Sequence, residues 1–181
     1  MKDTKSKKIL EVGCGLKPFK EEKGKVIHLD KIKLPHVEIV HDLDKFPYSF
    51  KDNEFDMIIA SHVLEHVEDL VAVMKEFHRI LKKDGILKIT VPYFASPTGF
   101  MDPTHKHFFT LKTFDYWDKR TFLGKKFNYE VNNVEFKIIK KELHFGKIKI
   151  TIKNSKVWSI YENVFSKIIP ASEIYFELKK L

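Results

Sequence analysis

One cysteine, Cys14, stands in 181 residues. A lone thiol excludes an intrachain disulfide and any metal centre built from several cysteines. It reads as a small residue in a tight turn rather than as a nucleophile. No apolar run approaches the roughly 18 residues of a membrane helix, so no membrane partner is expected. Met1 to Lys8 are basic but lack the apolar core of a signal peptide, and a cytoplasmic location is expected. Arginine is scarce, with only Arg79 and Arg120. With no arginine-rich block and no interleaved stacking motif, the net charge of +8 reads first as a lysine-rich solvated surface. That basic surface is compatible with nucleic acid, but no motif indicates it. Internal repeats, low-complexity segments and linkers are missing too. One domain over residues 1–181 is therefore expected, since this length suits a single well-buried core.

What is present begins with Ile9-Leu10-Glu11-Val12-Gly13-Cys14-Gly15. Apolar residues lead to an acid and then to two glycines one residue apart. That is how a buried parallel strand ends when the backbone turns sharply beneath a ligand. Glycine tolerates positive φ and has no Cβ, so a ligand can lie on the main chain. Glu11, just before the turn, can face an ammonium or hydroxyl group.

Further strands are predicted at 25–30, 37–40, 56–61 and 86–91. Asp30 closes the second strand, and His41-Asp42-Leu43-Asp44 follows the third. The continuous run Met57-Ile58-Ile59-Ala60 suits a sheet covered on both faces. Only Leu16 to Gly24, with Pro18, lie before the second strand, too few for a long crossover helix. Leu70, Val73, Met74, Phe77, Ile80 and Leu81 recur at helical spacing and predict a helix from 68 to 83. Asp84-Gly85 is expected to stop it, with the glycine in the left-handed cap. Tyr93 to His107 reads as an irregular connection, and Thr110 can cap a short helix to Trp117. Val134, Phe136 and Ile138 alternate with charged residues, as in a half-exposed strand. Gly146 marks a hairpin, Ser155 can start a helix that Pro170 ends, and 174–178 reads as a last strand.

These pieces, in this order, resemble the class I S-adenosylmethionine-dependent methyltransferases over about residues 8–95. Glu11-Val12-Gly13-Cys14-Gly15 resembles the family's glycine signature, and Leu29-Asp30 its acidic end of strand two. Asp42-Leu43 with Phe46-Pro47, then Glu54-Phe55-Asp56-Met57-Ile58, resemble its third and fourth segments. Leu64-Glu65-His66-Val67 and Arg79-Ile80-Leu81-Lys82 with Gly85 complete the pattern. Asp102-Pro103-Thr104-His105 to Phe109-Thr110 is similar to a segment in a branch of small methyltransferases. The resemblance implies an α/β, Rossmann-like, doubly wound fold with a mostly parallel seven-stranded sheet. The N-terminal helices and the first crossover helix are expected to be truncated. The cofactor-binding half would span 8–93, and the acceptor-side and C-terminal half 94–181.

The implied cofactor is S-adenosylmethionine, with S-adenosylhomocysteine as product. Glu11, Gly13, Cys14 and Gly15 would meet its methionine end, with Ser61 and His62 beside it. Asp30, with Lys31 next to it, would accept the ribose hydroxyls, because a carboxylate is a bidentate acceptor. Asp42 and Leu43 would meet the adenine. Family members have helices before strand one that help cover the cofactor. Here the site is expected either to be unusually open or to be covered by residues 94–120, by the C-terminal helix or by a second subunit in a homodimer.

His62-Val63-Leu64-Glu65-His66 matches H-x-x-E-H, a zinc-protease signature that needs both histidines on one helix face. The motif lies between a strand and a helix, so no metal is expected. Asp102, His105 and His107 form a second cluster, read as acceptor-pocket residues first, structural residues next and metal ligands last. If the acceptor must lose a proton, His62, His66, His105 and His107 are the catalytic candidates. Tyr93, Phe94, Phe100 and Phe108 would wall the pocket or fill the core. The leading reading is methyl transfer to a small-molecule acceptor. Its rivals are a non-catalytic scaffold of the same fold and an RNA or protein methyltransferase.

Overall fold

The apolar runs become the strands of one sheet in the computed structural model. It describes residues 6–20, 24–131, 134–152 and 155–181, without the side chains of residues 155 and 156. The capping role expected of Ser155, and part of the connection read at 16–24, lie outside the described residues. The strands are β1 (Lys7–Val12), β2 (Gly24–Asp30), β3 (Ile39–Val40), β4 (Phe55–Ser61) and β5 (Leu81–Pro92), then β6 (Phe136–Phe145), β7 (Ile148–Thr151) and β8 (Glu173–Lys180). They lie in the order β3-β2-β1-β4-β5-β8-β6-β7. The first five are parallel, and β8, β6 and β7 add an antiparallel edge.

The α/β, Rossmann-like and mostly parallel reading holds, but the sheet has eight strands where seven are expected. The hairpin arm β7 pairs with β6 and adds a strand at the edge. The two strands read around Val134–Ile138 and Leu143–Phe145 are one strand, β6. A register shift between Ile138 and Lys140 lets it run on.

Leu10 and Val12 of β1, Ile58 and Ala60 of β4, and Leu87 and Ile89 of β5 share one buried cluster with helix α1 (Leu70–Ile80). Val73, Met74, Phe77 and Ile80 form the helix's buried stripe. Each such fully buried side chain contributes on the order of 1.5–3 kcal/mol. Asp69 caps α1 by accepting the Ala72 amide at 2.9 Å. The helix stops at Ile80, not at 83. The amides of Asn53 and Glu54 take the carbonyls of Arg79 and Ile80 (3.0 and 2.7 Å), and Leu81 pairs with Phe55 in the sheet. Asp84, not Gly85, adopts the positive φ, at 64°. Gly85 meets a different need, because a Cβ there would stand 2.8 Å from the Lys82 carbonyl.

Helices are few. Between β1 and β2 no helix occurs among the described residues, as the spacing predicts. On that sheet face Ile9, Met57 and Ile59 are covered by Phe19 and Val26. The helix expected from Thr110 is a 3-10 turn over Thr113–Trp117. Thr110 is tied up beforehand, its amide donating to Thr113 and its hydroxyl accepting the Lys112 amide. Two short helices follow, α2 (Phe122–Phe127) and α3 (Ser155–Ile160), the latter widening into a π turn at Tyr161–Phe165.

Candidate active site

The carboxyl ends of β1, β2 and β4 meet around the glycine turn. Gly13 has φ +64°, and its amide donates to the Leu29 carbonyl at 2.8 Å. A Cβ at Gly13 would stand 2.5 Å from Val63 Cγ2, so the turn after β4 packs directly on this backbone. Gly15 has φ +53° and open space where a side chain would be. Asp30 accepts the Gly15 amide on one oxygen and the Ile32 amide on the other, both at 2.9 Å. Each oxygen keeps a second lone pair, so the carboxylate is held in place and can still accept hydroxyls.

These residues border a hollow of about 300 Å³. Gly13, Asp30, Lys31, Asp42, Leu43 and His62, six of the residues expected to meet the cofactor, line it. Asp42 also accepts the Asp44 amide at 3.1 Å, which shapes the turn after β3. The buried Tyr48 hydroxyl donates to the Leu43 carbonyl at 2.8 Å and anchors the same turn.

Four of the expected cofactor residues lie elsewhere. Glu11 alternates with Leu10 and Val12 and so points to the other sheet face. There both its oxygens accept the Phe19 amide (3.0 and 2.9 Å), and one meets His28 Nδ1 at 2.8 Å. It fastens the β1–β2 connection instead of facing the hollow. Ser61 shares that parity and is exposed. Cys14 is buried beneath the turn, where burial first, then Glu11 and Asp30, push its thiol up to about 11. Gly15 does not line the hollow and is tied to it only through its amide's bond to Asp30.

A second hollow, of about 580 Å³, adjoins the first, and His62 and His66 line both. Its other walls come from Glu65 after β4, from the stretch 98–105 and from Glu173 at the start of β8. His62 takes positive φ (51°), and its amide donates to Thr90 in β5 at 2.9 Å. Its ring stands 3.4 Å from both Glu173 and Glu65. The contact with Glu173, followed by that with Glu65, raises its pKa to about 9. Both carboxylates thus favour the protonated ring of His62 near neutral pH.

Residues 62–69 form turns and not a helix, so the H-x-x-E-H letters do not build a protease helix. His66 and His105, both lining the second hollow, pack edge to face with ring centroids 4.7 Å apart. His107 does not line it. Its amide donates to the Glu65 carbonyl and its ring lies beside Phe109. Tyr93 is core, while Phe100 and Phe108 stack on one another at the surface. Sequence reasoning missed Val63, Val67 and Thr104, which wall the first hollow, and Glu173. Val63, Val67 and Thr104 stand in segments the sequence already singles out, whereas Glu173 reaches the site only through the pairing of β8 with β5.

Residues 10–89 match a family model described as a methyltransferase domain. A demethylmenaquinone methyltransferase of Staphylococcus epidermidis is 27% identical over 169 residues, 72% of this chain and 70% of that protein. A mitochondrial arginine-hydroxylase of Mus musculus is 30% identical over 92 residues, 42% of this chain and 26% of that protein. The chain spans 26% and 40% of the first two curated relatives it matches. A crystal structure of a SAM-dependent methyltransferase from Archaeoglobus fulgidus superposes with a TM-score of 0.64. That match has 20% identity and covers 98% of this chain and 87% of the other, a likeness that speaks to the fold alone.

Proposed function

We propose that this chain, whose residues 10–89 match a methyltransferase-domain model, is a class I S-adenosylmethionine-dependent methyltransferase that transfers a methyl group from S-adenosylmethionine to a small-molecule acceptor. The observation that carries this reading is the pair of joined hollows. One is bordered by a glycine backbone and two separate carboxylates, and it opens past His62 and His66 into a larger one.

The residues of the first hollow fit the cofactor by their donors and shape. Asp30 is nearly buried yet keeps free lone pairs, as a partner for vicinal hydroxyls requires. Asp42 supplies an acceptor for an exocyclic amine, beside the apolar Leu43. Leu29, Val63 and Val67 add apolar wall against which a flat base can lie. S-adenosylmethionine, when bound, supplies a methyl group already activated on a sulfonium. What remains for the protein is to align the acceptor and exclude water. Residues 98–105 do the second task, since Thr104 reaches the first hollow while Thr98, Met101 and His105 wall the second. That placement supports part of the stretch 94–120 as the cover. The C-terminal helix serves a different place, with Trp158 lining a separate hollow.

Calorimetric titration with S-adenosylmethionine and S-adenosylhomocysteine tests the reading. Micromolar binding, weakened at least about tenfold by Asp30→Ala, is the expected result. A tenfold loss corresponds to about 1.4 kcal/mol, within the range of a charged hydrogen bond. A folded sample that binds neither compound would refute the proposal in favour of a scaffold.

A further inference from the structure

Two groups of three potential metal ligands occur among the described residues, Glu11–Cys14–His28 and Glu65–His66–His105. The first is already committed, because Glu11 accepts from Phe19 and His28 and burial holds Cys14 as a thiol. The second is not. We propose that Glu65, His66 and His105 form a binding site for a divalent transition-metal ion at the junction of the two hollows.

Glu65 is 1% exposed, and its Oε2 is buried with no hydrogen-bond partner among the described residues. A buried carboxylate oxygen left this way is costly unless something pairs with it. Its other oxygen faces His62 at 3.4 Å, which fixes the carboxylate's orientation. Both histidines are held in the tautomer that ligation needs. His105 Nδ1 lies 2.9 Å from the Gly99 carbonyl, which can only accept, so Nδ1 carries the proton and Nε2 has a free lone pair. His66 Nδ1 lies 2.8 Å from Thr104 Oγ1, whose own hydroxyl donates to Asp102 at 2.7 Å. The Thr104 oxygen therefore accepts from His66, and its Nε2 is free as well. Ring N–H groups tied to a carbonyl or a carboxylate-backed hydroxyl are the outer-shell partners of metal-bound imidazoles.

One ligating atom from each residue lies within 4.8 Å of the others. Bonds of about 2.1 Å bring such atoms to roughly 3.0–3.5 Å apart, so small side-chain rotations complete the site. Two imidazoles and one carboxylate leave coordination positions open, and this donor set suits Zn²⁺, Fe²⁺, Mn²⁺ or Co²⁺. The open side faces the acceptor hollow, which His66, Glu65 and His105 all line.

The site's role in catalysis rests on the methyl-transfer reading; its existence does not. A cation there would hold an acceptor hydroxyl and lower its pKa. Methylation of that hydroxyl forms an O–C bond and breaks the S–C bond. The S–C electron pair stays on sulfur, and the hydroxyl proton passes to solvent.

Titration of the metal-free protein with Co²⁺ and Zn²⁺, followed by calorimetry and the visible absorption of Co²⁺, tests the site. One equivalent per chain at micromolar affinity or tighter is expected. Glu65→Gln and His105→Ala should each weaken binding at least about tenfold, and Thr104→Val about tenfold through His66. The double variant Cys14→Ser/His28→Ala should bind as the native chain does. Folding of every variant is checked by circular dichroism. Absent stoichiometric binding, or binding unmoved by Glu65→Gln and His105→Ala, would overturn the proposal. So would binding lost only in the Cys14/His28 variant. S-adenosylhomocysteine titrated on the same samples reads the first hollow separately. Its failure with metal bound would sink the methyl-transfer reading and leave the metal site standing.

Discussion

At the scale of single residues, Gly13 and Glu11 show how neighbours in one motif do different work. Gly13 serves twice, through its φ of +64° and through the 2.5 Å that a Cβ would leave to Val63 Cγ2. Gly13→Ala should therefore destabilise the chain by about 1–3 kcal/mol in urea titration. Adding Val63→Ala should recover part of that loss, because it removes the clash and leaves the backbone strain. Glu11→Ala should also lower stability, by about 1–3 kcal/mol, since the Phe19 amide loses its acceptor. Its effect on S-adenosylmethionine affinity should be smaller than that of Asp30→Ala, because Glu11 faces the opposite side of the sheet. Strand alternation makes Glu11's direction legible in the sequence. Likeness to a glycine signature points the other way, and the period of two wins.

At the scale of elements, α1 is fastened to the segment between β3 and β4 by one ion-pair network. Arg79 donates to the Tyr48 and Phe50 carbonyls (3.0 and 2.8 Å), to Asp52 and to Glu76. Glu76 in turn accepts the Tyr48 amide at 2.9 Å. Truncating the guanidinium leaves a nearly buried carboxylate and two carbonyls short of partners. Arg79→Met should cost about 3 kcal/mol, read as a shift in the urea midpoint. Lys82→Met breaks only the partly exposed pair with Asp56 and should cost less than about 1 kcal/mol. The apolar spacing of α1 was readable in the sequence. Its end at Ile80 was not, because the amides that take its last carbonyls come from Asn53 and Glu54.

At the scale of the whole molecule, charge and burial set the response to acid. His78, packed edge-on against Phe136, has its pKa lowered by burial first and by Lys180 second. The unfolded chain thus takes up this proton at a higher pH than the folded one. Stability from His78 is present above about pH 6.5 and is lost as pH falls through the lowered folded value. Glu54, Asp56, Glu76 and Asp118 are also held below their ordinary values. Their contribution is present above the unfolded carboxylate range and is lost at lower pH still. Urea midpoints should first rise from pH 8 to about pH 6.5, because the His62 pKa is raised to about 9 in the folded chain and its stabilisation grows as pH falls. From there to pH 3 they should fall in two stages, and His78→Leu should remove the first of these.

Local order was in the sequence by itself. Hydrophobic periodicity and the placement of glycine pointed to the parallel strands, the turn at Gly13 and the amphipathic α1, while the resemblance to a family singled out the carboxylates of Asp30 and Asp42. Those features depend on neighbours a few residues away. Only the tertiary structure decided which histidines meet. His62 pairs with Glu173 of the last strand, and His66 meets His105 from the stretch after β5, while His107 turns to the core side. The reason is geometric. A side chain's direction at the end of a strand follows from the turn that strand enters. Its partner follows from which distant segment packs there, and neither is encoded in a local period.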